Sequence, residues 1–258
     1  MKVICFQPHD DDCVIAIGGI VQKMLKHAWE LSYVYVTDGR HGSQTIPPEE
    51  LVEIRRVEAQ EERALFGIHH FVELGVIDGS AGKLRGMRLA SLKQQLISIL
   101  VSSRPDLILV PTRSDMHSDH SATHDLVVNA VEKIQLSVPI AKYFVWLFPD
   151  FYQKLPDIAD QILMVGVDNE MATKVAAVRV HRSQIAGCAY DSMTEMINAY
   201  FAYAFNAPDR IGSRYVEIIG LFKPHYHRHT TSELLRVLMP SADITTVLHG
   251  RPSERIRQ

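Results

Sequence analysis

The sequence predicts an α/β fold, a Rossmann-like three-layer arrangement with a mainly parallel sheet. Over the first half of the chain, short apolar runs that suit buried strands alternate with longer segments of helical spacing. This alternation is typical of parallel strands joined by right-handed crossover helices. The chain has 258 residues, 47% of them hydrophobic, which is enough for the core of one such domain.

The elements of the first half follow one another in a regular order. The helix after the first strand is apolar on nearly every side, so we expect it to be covered on both flanks, and its Gly18-Gly19 pair allows a close approach to the sheet. Pro48 and the acidic residues after it begin a helix that Gly67 ends. The predicted strands are Val3–Gln7, Leu31–Thr37, His70–Leu74 and Asp106–Pro111, and the predicted helices are Val14–Lys26, 48–66, Leu89–Val101 and His120–Ile134.

The pattern is looser in the second half. We expect residues 1–223 to form a single domain and residues 224–258 to form a C-terminal tail packed on that domain or on a neighbouring subunit. The predicted strands here are Ile140–Leu147, Gln161–Val167 and Tyr215–Phe222, and the predicted helices are Asn169–His181 and Ser192–Asn206.

Composition excludes several classes of function. The net charge is -3, with a pI near 6.5, so a nucleic-acid partner is not expected. No apolar run approaches the ~18 residues of a membrane helix, and the amino terminus runs directly into a predicted strand instead of a signal peptide. Cys5, Cys13 and Cys188 form no CxxC pair, which favours a reducing, cytoplasmic location.

Two polar motifs follow predicted strands. They are Pro8-His9-Asp10-Asp11-Asp12 and His117-Ser118-Asp119-His120. Thr37-Asp38-Gly39 and Asp78 follow two further strands. Because ligands of open parallel sheets bind beyond the carboxyl ends of the strands, we expect these side chains to converge there.

The motifs contain a plausible set of metal ligands. His9 and Asp12 are three residues apart at a strand-to-helix turn, and His120 begins a later helix, so the three side chains can reach one point. Two imidazoles and one carboxylate leave a position open for water, a set that Zn²⁺ tolerates and that manganese, iron or nickel can also occupy. The alternative is that His9 caps a helix and the aspartates only complement its dipole.

The remaining polar residues suggest proton transfer. Asp11 is the candidate general base, whereas Asp10 is expected to be solvated or to support the site from behind the ligands. His117 cannot easily point in the same direction as His120, so it is expected near the metal without binding it, where it can stabilise an oxyanion or protonate a leaving amine, with Asp119 fixing its tautomer. The alternative for this second motif is a polar surface loop, and Asp115 is expected at the loop surface.

Three further residues have structural interpretations. Cys13 and His124 are expected to pack rather than to bind metal. Glu58 falls on an apolar stripe of the helix 48–66 with Leu51, Ile54 and Leu65, so we expect it to be buried and to anchor Arg55 toward the pocket. The alternative is an ordinary surface ion pair between Arg55 and Glu58.

With these motifs the chain resembles the PIG-L/LmbE-like family of metal-dependent N-deacetylases. The family motif H-P-D-D-E corresponds to residues 9–13 and H-P-D-H to residues 117–120, although Asp10 and Ser118 replace prolines and Cys13 replaces glutamate. The similarity also covers Thr37-Asp38-Gly39, Arg55 with Glu58, Leu74-Gly75 with Asp78, Arg104-Pro105-Asp106 and His181-Arg182-Ser183-Gln184.

The resemblance implies a Rossmann-like fold with one catalytic zinc. It implies His9, Asp12 and His120 as ligands, Asp11 as base, and His117 with Asp119 as the acid or electrostatic partner. It also implies that Arg55 and Asp78 contact sugar hydroxyls. The run Pro-His-x-Asp-Asp-Cys-Val-Ile before Gly-Gly is similar to the diacetylchitobiose deacetylase branch, which implies an N-acetylglucosamine or diacetylchitobiose type of substrate.

Other functions stay open at this point. One is hydrolysis of another amide, such as a thiol-sugar conjugate, and another is a non-catalytic, metal-stabilised carbohydrate-binding protein. A dinucleotide-binding protein is excluded because no G-x-G-x-x-G follows the first strand. The family resemblance implies a homo-oligomer. The tail histidines, His225, His227 and His229, are expected to lie in a solvated segment, and the alternative is that one of them completes the pocket of a neighbouring subunit.

Overall fold

The computed structural model describes residues 1–145, 161–221 and 242–246. Its centre is an eight-stranded sheet. The strands are β1 Lys2–Gln7, β2 Glu30–Thr37, β3 His70–Val76, β4 Leu107–Pro111, β5 Ile140–Tyr143, β6 Gln161–Gly166, β7 Val216–Leu221 and β8 Ala242–Thr246. Their order in the sheet is β3-β2-β1-β4-β5-β7-β6-β8. Strands β1 to β5 pair in parallel, and β7 runs antiparallel to both β5 and β6.

Helices cover both faces of this sheet. The α-helices are α1 Asp12–Lys26, α2 Pro48–Phe66, α3 Gly86–Ser103, α4 Ser118–Lys133, α5 Met171–Val180, α6 Arg182–Ile185, α7 Tyr190–Ala204 and α8 Ala207–Ile211, and a short 3₁₀ helix spans Ala81–Lys83. Apolar side chains of α1, α2 and α5 form the core on one face, and those of α3 and α4 form the core on the other, so the molecule has three layers.

The predicted fold class is confirmed. In the first half the observed elements begin and end within a few residues of the predicted ones. The second half differs in one respect, since β7 and β8 run against the direction of the other strands. The predicted tail, 224–258, lies outside the described residues except for β8, whose backbone pairs with β6.

Helix α1 is buried on almost every side, as predicted. Twelve of its fifteen residues are buried. A Cβ atom on Gly19 would lie 2.7 Å from Val167 Cγ1, so only glycine permits the observed approach to the chain after β6. Among the described residues, none of the helices combines the length and the apolar character that a membrane span needs.

A kink divides α1 into two parts. Ile17 has non-helical angles (φ -137°, ψ 25°), so the backbone N–H groups just after it lack helical acceptors. The carboxylate of Glu217, on β7, accepts hydrogen bonds from the N–H groups of Gly19 (2.8 Å) and Ile20 (2.6 Å). Glu217 also forms a fully buried ion pair with Lys174 at 2.6 Å. A side chain from a distant strand therefore supplies the cap of the second part of α1.

Candidate metal centre

The polar residues that follow β1 to β4 meet at one edge of the sheet. The β1–α1 turn carries the first motif, and the N-terminus of α4, after β4, carries the second. The chain after β2 and the chain after β3 lie beside them, and the backbone N–H of Asp78 donates to Asp38 Oδ1 at 3.1 Å. The expected convergence at the carboxyl ends of the strands is therefore present.

The three predicted ligands lie together. His9 Nδ1 is 3.3 Å from Asp12 Oδ2, His120 Nε2 is 3.3 Å from Asp12 Oδ1, and the two ring nitrogens are 3.4 Å apart. Four-coordinate zinc with bonds of about 2.0–2.1 Å places neighbouring ligand atoms about 3.3–3.4 Å apart. The spacing of these donors therefore suits a metal of this size.

Electrostatics at the three residues also suit a cation. Burial alone would raise the pKa of Asp12, but the facing rings of His120 and His9 hold it well below its ordinary value. Burial opposes protonation of His120, yet Asp12 and Asp115 raise its pKa to about 9. The carboxylate thus stays ionised, and without metal the protons on the rings balance its charge.

Each histidine of this group is held by a second carboxylate. His9 Nε2 lies 3.0 Å from Asp78 Oδ1, and His120 Nδ1 lies 3.0 Å from Asp115 Oδ2. The Asp115 side chain is fully buried, so the expectation that it lies at the loop surface is wrong. Carboxylate partners of this kind fix the ring orientation and the tautomer of metal-binding histidines.

His117 lies beside this group, as expected of a histidine near the ligands. Its ring centroid is 4.7 Å from that of His9 and 5.1 Å from that of His120, and nitrogen atoms of the three histidines lie within 4.8 Å of one another. This spacing alone would also allow His117 to contact a metal. Burial and the rings of His9 and His120 lower its pKa, which favours a neutral ring.

Asp119 has a different partner from the one predicted. It is fully buried, and its two carboxylate oxygens accept hydrogen bonds from the backbone N–H groups of Gly79 (2.6 Å) and Ala81 (3.0 Å). The link to His117 is through the main chain, because the N–H of Asp119 donates to His117 Nδ1 at 3.3 Å. Asp119 thus ties the start of α4 to the turn after β3, and its Oδ2 lies 3.8 Å from His9 Nε2. His9, Asp78 and Asp119 form a second group with metal-ligand spacing.

Arg55 contacts the first motif directly. Its Nε lies 2.7 Å from Asp10 Oδ1, its Nη2 contacts the same oxygen, and its Nη2 lies 2.9 Å from Asp11 Oδ1. The prediction that Glu58 anchors Arg55 is wrong, since Glu58 accepts hydrogen bonds from the Ser183 N–H (2.8 Å) and hydroxyl (2.7 Å). Asp10 was expected to be solvated or to support the site from behind the ligands, and its carboxylate is the main partner of this buried guanidinium. Leu65, assigned to the buried stripe of α2, is exposed.

The turn after β2 closes over Arg55. A Cβ atom on Gly39 or on Gly42 would lie 2.6 Å from a nitrogen of the guanidinium, and Gly39 has a positive φ of 63°. His41, between them, donates its backbone N–H to Asp78 Oδ2 (3.0 Å), and its ring Nδ1 lies 3.0 Å from the carbonyl oxygen of Asp78. His41 was missed by the sequence analysis, although its place next to the Thr37-Asp38-Gly39 turn is a signal that could have found it.

Cys13 and His124 pack as predicted. Cys13 is fully buried, and its backbone N–H donates to Gln7 Oε1 at 3.1 Å. His124 is buried, with Nδ1 2.9 Å from the carbonyl oxygen of Pro111, which accounts for its position one turn after His120 without a metal contact.

Comparisons of the sequence with known proteins point to de-N-acetylases. A family model described as "PIG-L: GlcNAc-PI de-N-acetylase" matches residues 4–131. The diacetylchitobiose deacetylase of Thermococcus kodakarensis is 25% identical over 197 residues, which cover 71% of this chain and 70% of the relative.

Solved structures show the same architecture. The N,N'-diacetylchitobiose deacetylase of Pyrococcus horikoshii superimposes with a TM-score of 0.68 at 27% identity, over 91% of this chain and 88% of that one. GalB of Pseudomonas putida, a 4-carboxy-2-hydroxymuconate hydratase, shares the fold with a TM-score of 0.65 at 15% identity, over 86% and 95% of the two chains. Proteins that share this fold can thus catalyse different reactions, so the activity of this chain has to be inferred from the residues of its site.

Proposed function

The chain belongs to the PIG-L/LmbE-like family, near the diacetylchitobiose deacetylases, and on this premise we propose that it is a metal-dependent hydrolase that removes an N-acetyl group from a small amino-sugar compound. The compound is of the N-acetylglucosamine or diacetylchitobiose type. The observation that carries the proposal is the convergence of His9, Asp12 and His120 within 3.4 Å of one another, beside the carboxylate of Asp11.

His9, Asp12 and His120 are the proposed ligands of Zn²⁺ or another divalent transition metal. Such an ion, when bound, polarises a carbonyl group and lowers the pKa of water toward ~7. His117 and Asp119, which also have ligand spacing with His9, are assigned to other roles because Asp119 already accepts two backbone hydrogen bonds and His117 lies at the exposed mouth of the site.

The proton transfers are assigned to Asp11 and His117. Asp11, held by Arg55, takes a proton from the water that attacks the acetyl carbonyl carbon. His117 accepts a hydrogen bond at Nδ1 from the Asp119 N–H, so its neutral ring carries the proton on Nε2 and can donate to the carbonyl oxygen as negative charge develops there. When the C–N bond breaks, the amine takes a proton from Asp11 or His117, and acetate and a free amino sugar are released.

Arg55 and Asp78 are assigned positioning roles. The resemblance implied that both contact sugar hydroxyls, but Arg55 is only 2% exposed and its donors face Asp10 and Asp11. Asp78 uses one oxygen for His9 and the other for the N–H of His41. We therefore assign Arg55 to the orientation of Asp11 and Asp78 to the orientation of His9.

The cellular setting is also a proposal. Cys5, Cys13 and Cys188 are free thiols, which supports a reducing, cytoplasmic location. A homo-oligomer remains a prediction, and the tail histidines that would serve a neighbouring pocket lie outside the described residues.

The test is release of acetate and amine from N,N'-diacetylchitobiose. The purified protein is stripped of metal and then supplied with zinc, manganese, iron or nickel, with acetate and free amine measured separately. Equal amounts of the two products, lost on chelation and restored by one ion, are expected. His120→Asn should abolish turnover, whereas His124→Asn, one turn further along α4, should keep it.

The assay also separates the alternatives. Metal binding without acetate from any N-acetyl amino sugar would contradict the proposal. Turnover of a thiol-sugar amide alone would then favour that substrate class, and carbohydrate binding without turnover of any amide would favour the non-catalytic binding protein.

A further inference from the structure

A pocket beside Asp10 has one mainly acidic wall. This wall is formed by the carboxylates of Asp10, Asp38 and Glu73 with the polar side chains of Tyr35 and Thr37, and Arg56, Val52, Ala59 and Gly75 complete the lining. Asp10 connects this pocket to the proposed metal centre, because one nitrogen of Arg55 contacts both Asp10 and Asp11. A substrate whose amide lies at the metal group is thus expected to extend along this wall.

The guanidinium groups that contact the carboxylates of this wall, those of Arg40 and Arg56, are already paired. Arg40 binds Asp38 Oδ2 through both Nε and Nη2 at 2.8 Å. Arg56 binds Glu73 at 3.1 Å and Glu53 at 2.8 Å. Neither side chain offers an unpaired positive charge to an anionic group.

The guanidinium of Arg55 is even less accessible to a substrate. Both of its contacts with Asp10 go to Oδ1, a third goes to Asp11, and the glycines of the turn after β2 pack on its outer side. The Asp10 side chain, in contrast, keeps 13% of its surface exposed. A substrate that reaches this wall therefore meets the carboxylate of Asp10 and not the guanidinium behind it.

We propose that Asp10 determines substrate specificity: it keeps Arg55 away from the substrate and selects neutral or amine-bearing amino sugars against those that carry a phosphate or carboxylate beside the acetamido group. This inference rests on the proposed deacetylase function. A carboxylate accepts hydrogen bonds from hydroxyl and ammonium groups, but it repels an anion, and the repulsion is strong where water is partly excluded.

The test compares two substrates that differ in charge at one position. The methyl glycoside of N-acetylglucosamine and N-acetylglucosamine 1-phosphate are supplied to the zinc-loaded wild-type protein, and kcat/KM is measured from acetate release. We expect the neutral compound to be at least about tenfold better. Asp10→Asn should improve the phosphate compound relative to the neutral one by about tenfold, since it removes the repelling charge and loosens Arg55.

A control variant separates this effect from a general change in charge. Glu61, on α2, forms an exposed ion pair with Arg182 at 2.7 Å. Glu61→Gln removes one carboxylate from a carboxylate–arginine pair outside the pocket and should leave the ratio of the two kcat/KM values unchanged.

Each outcome decides a different claim. No acetate from either compound contradicts the deacetylase function itself. Equal kcat/KM values in the wild-type protein, or an unchanged ratio in Asp10→Asn, overturn the role of Asp10. If Asp10→Asn does not fold, inhibition of the wild-type protein by methyl glucosaminide is compared with inhibition by glucosamine 1-phosphate. Inhibition by the phosphate compound that is as strong as inhibition by methyl glucosaminide overturns the inference.

Discussion

Three consecutive aspartates in the first motif have three different surroundings. Asp12 faces the rings of His9 and His120, Asp11 contacts Nη2 of Arg55, and Asp10 contacts both Nε and Nη2 of the same guanidinium. The turn before α1 therefore points Asp12 toward the histidines, while Asp10 and Asp11 share Arg55. This division makes it possible to change one carboxylate without removing the others.

Asp11→Asn is expected to lower kcat by about 10²–10⁴-fold while the metal content stays near that of the wild type. An amide cannot accept the proton of the attacking water, but its oxygen can still face Arg55. Acetate release and metal analysis on the same preparation measure the two effects. A variant that keeps full activity would contradict the assignment of Asp11 as base, and Asp125→Asn, which removes an exposed carboxylate next to Arg113, is the matched control.

Asp115→Asn is expected to weaken metal affinity by about 10–100-fold, because the carboxylate that holds His120 Nδ1 is lost. Competition with a metal-binding dye measures the affinity directly. A larger effect on kcat at saturating metal than on affinity would contradict this role and would place Asp115 in the reaction itself.

The convergence of His9, Asp12 and His120 could be predicted from the sequence, but the carboxylates that contact the two histidines from behind could not. His9, Asp12 and His120 each lie shortly after a predicted apolar strand. Because the carboxyl ends of parallel strands lie at one edge of the sheet, the sequence positions of these residues indicate that their side chains converge. The partners Asp78 and Asp115 depend on rotamers and on how loops fold back, and neither is encoded in a local pattern. For the same reason the predicted link between Glu58 and Arg55 was wrong, since both residues are buried on α2 but turn to different neighbours.

At the scale of elements, α1 depends on a carboxylate from the opposite end of the chain. Glu217 caps the second part of the helix, and Lys174 of α5 compensates the negative charge of Glu217. The capped turn of the helix, Glu217 and Lys174 are all buried. The first part of α1 carries the proposed ligand Asp12. The capped kink therefore fixes the angle at which the first motif enters the site.

Lys174→Met is expected to destabilise the protein by about 3–5 kcal/mol, since it leaves the buried charge of Glu217 without its partner. The double variant Lys174→Met with Glu217→Gln should be less destabilised than the sum of the two single variants. Chemical denaturation of the four proteins measures the coupling. Additive effects would contradict a direct pair at this position.

The two halves of the sheet differed in how well they could be predicted. In the first half each apolar run is followed by a helix long enough for a crossover, and this pattern determines parallel pairing of β1 to β4. In the second half, β7 inserts between β5 and β6 although it follows β6 in sequence. An apolar run of six residues fits a strand of either direction, so its position depends on long-range packing that no local pattern records.

At the scale of the whole molecule, buried histidines make stability depend on pH. Burial is the main cause that lowers the pKa of His124 to about 4, from an ordinary value of 6.5. The unfolded chain therefore binds a proton between these values that the folded protein does not bind. The stability that neutral His124 contributes is fully present above pH 6.5 and is lost as the pH falls through about 4.

His124→Asn should remove this part of the pH dependence, because an amide can still donate to the Pro111 carbonyl oxygen but does not titrate. The free energy of unfolding is measured from pH 4 to 7 for both proteins. The wild type should lose up to about 2–3 kcal/mol more than the variant as the pH falls over this range. Parallel curves would show that folding does not lower the pKa of His124.

Metal should stabilise the whole fold, because the proposed ligands join the β1–α1 turn to the start of α4, which follows β4 in the chain. A ligand that binds only the folded state raises the midpoint of thermal unfolding with its concentration. The rings of His9 and His120 must release protons to bind metal, so the stabilisation by zinc should be larger at pH 8 than at pH 6.5. Thermal unfolding with and without zinc measures the shift, and His120→Asn should abolish it while His124→Asn preserves it. If zinc raised the midpoint of thermal unfolding of His120→Asn as much as that of the wild type, zinc would bind elsewhere, and the proposed metal centre would be wrong.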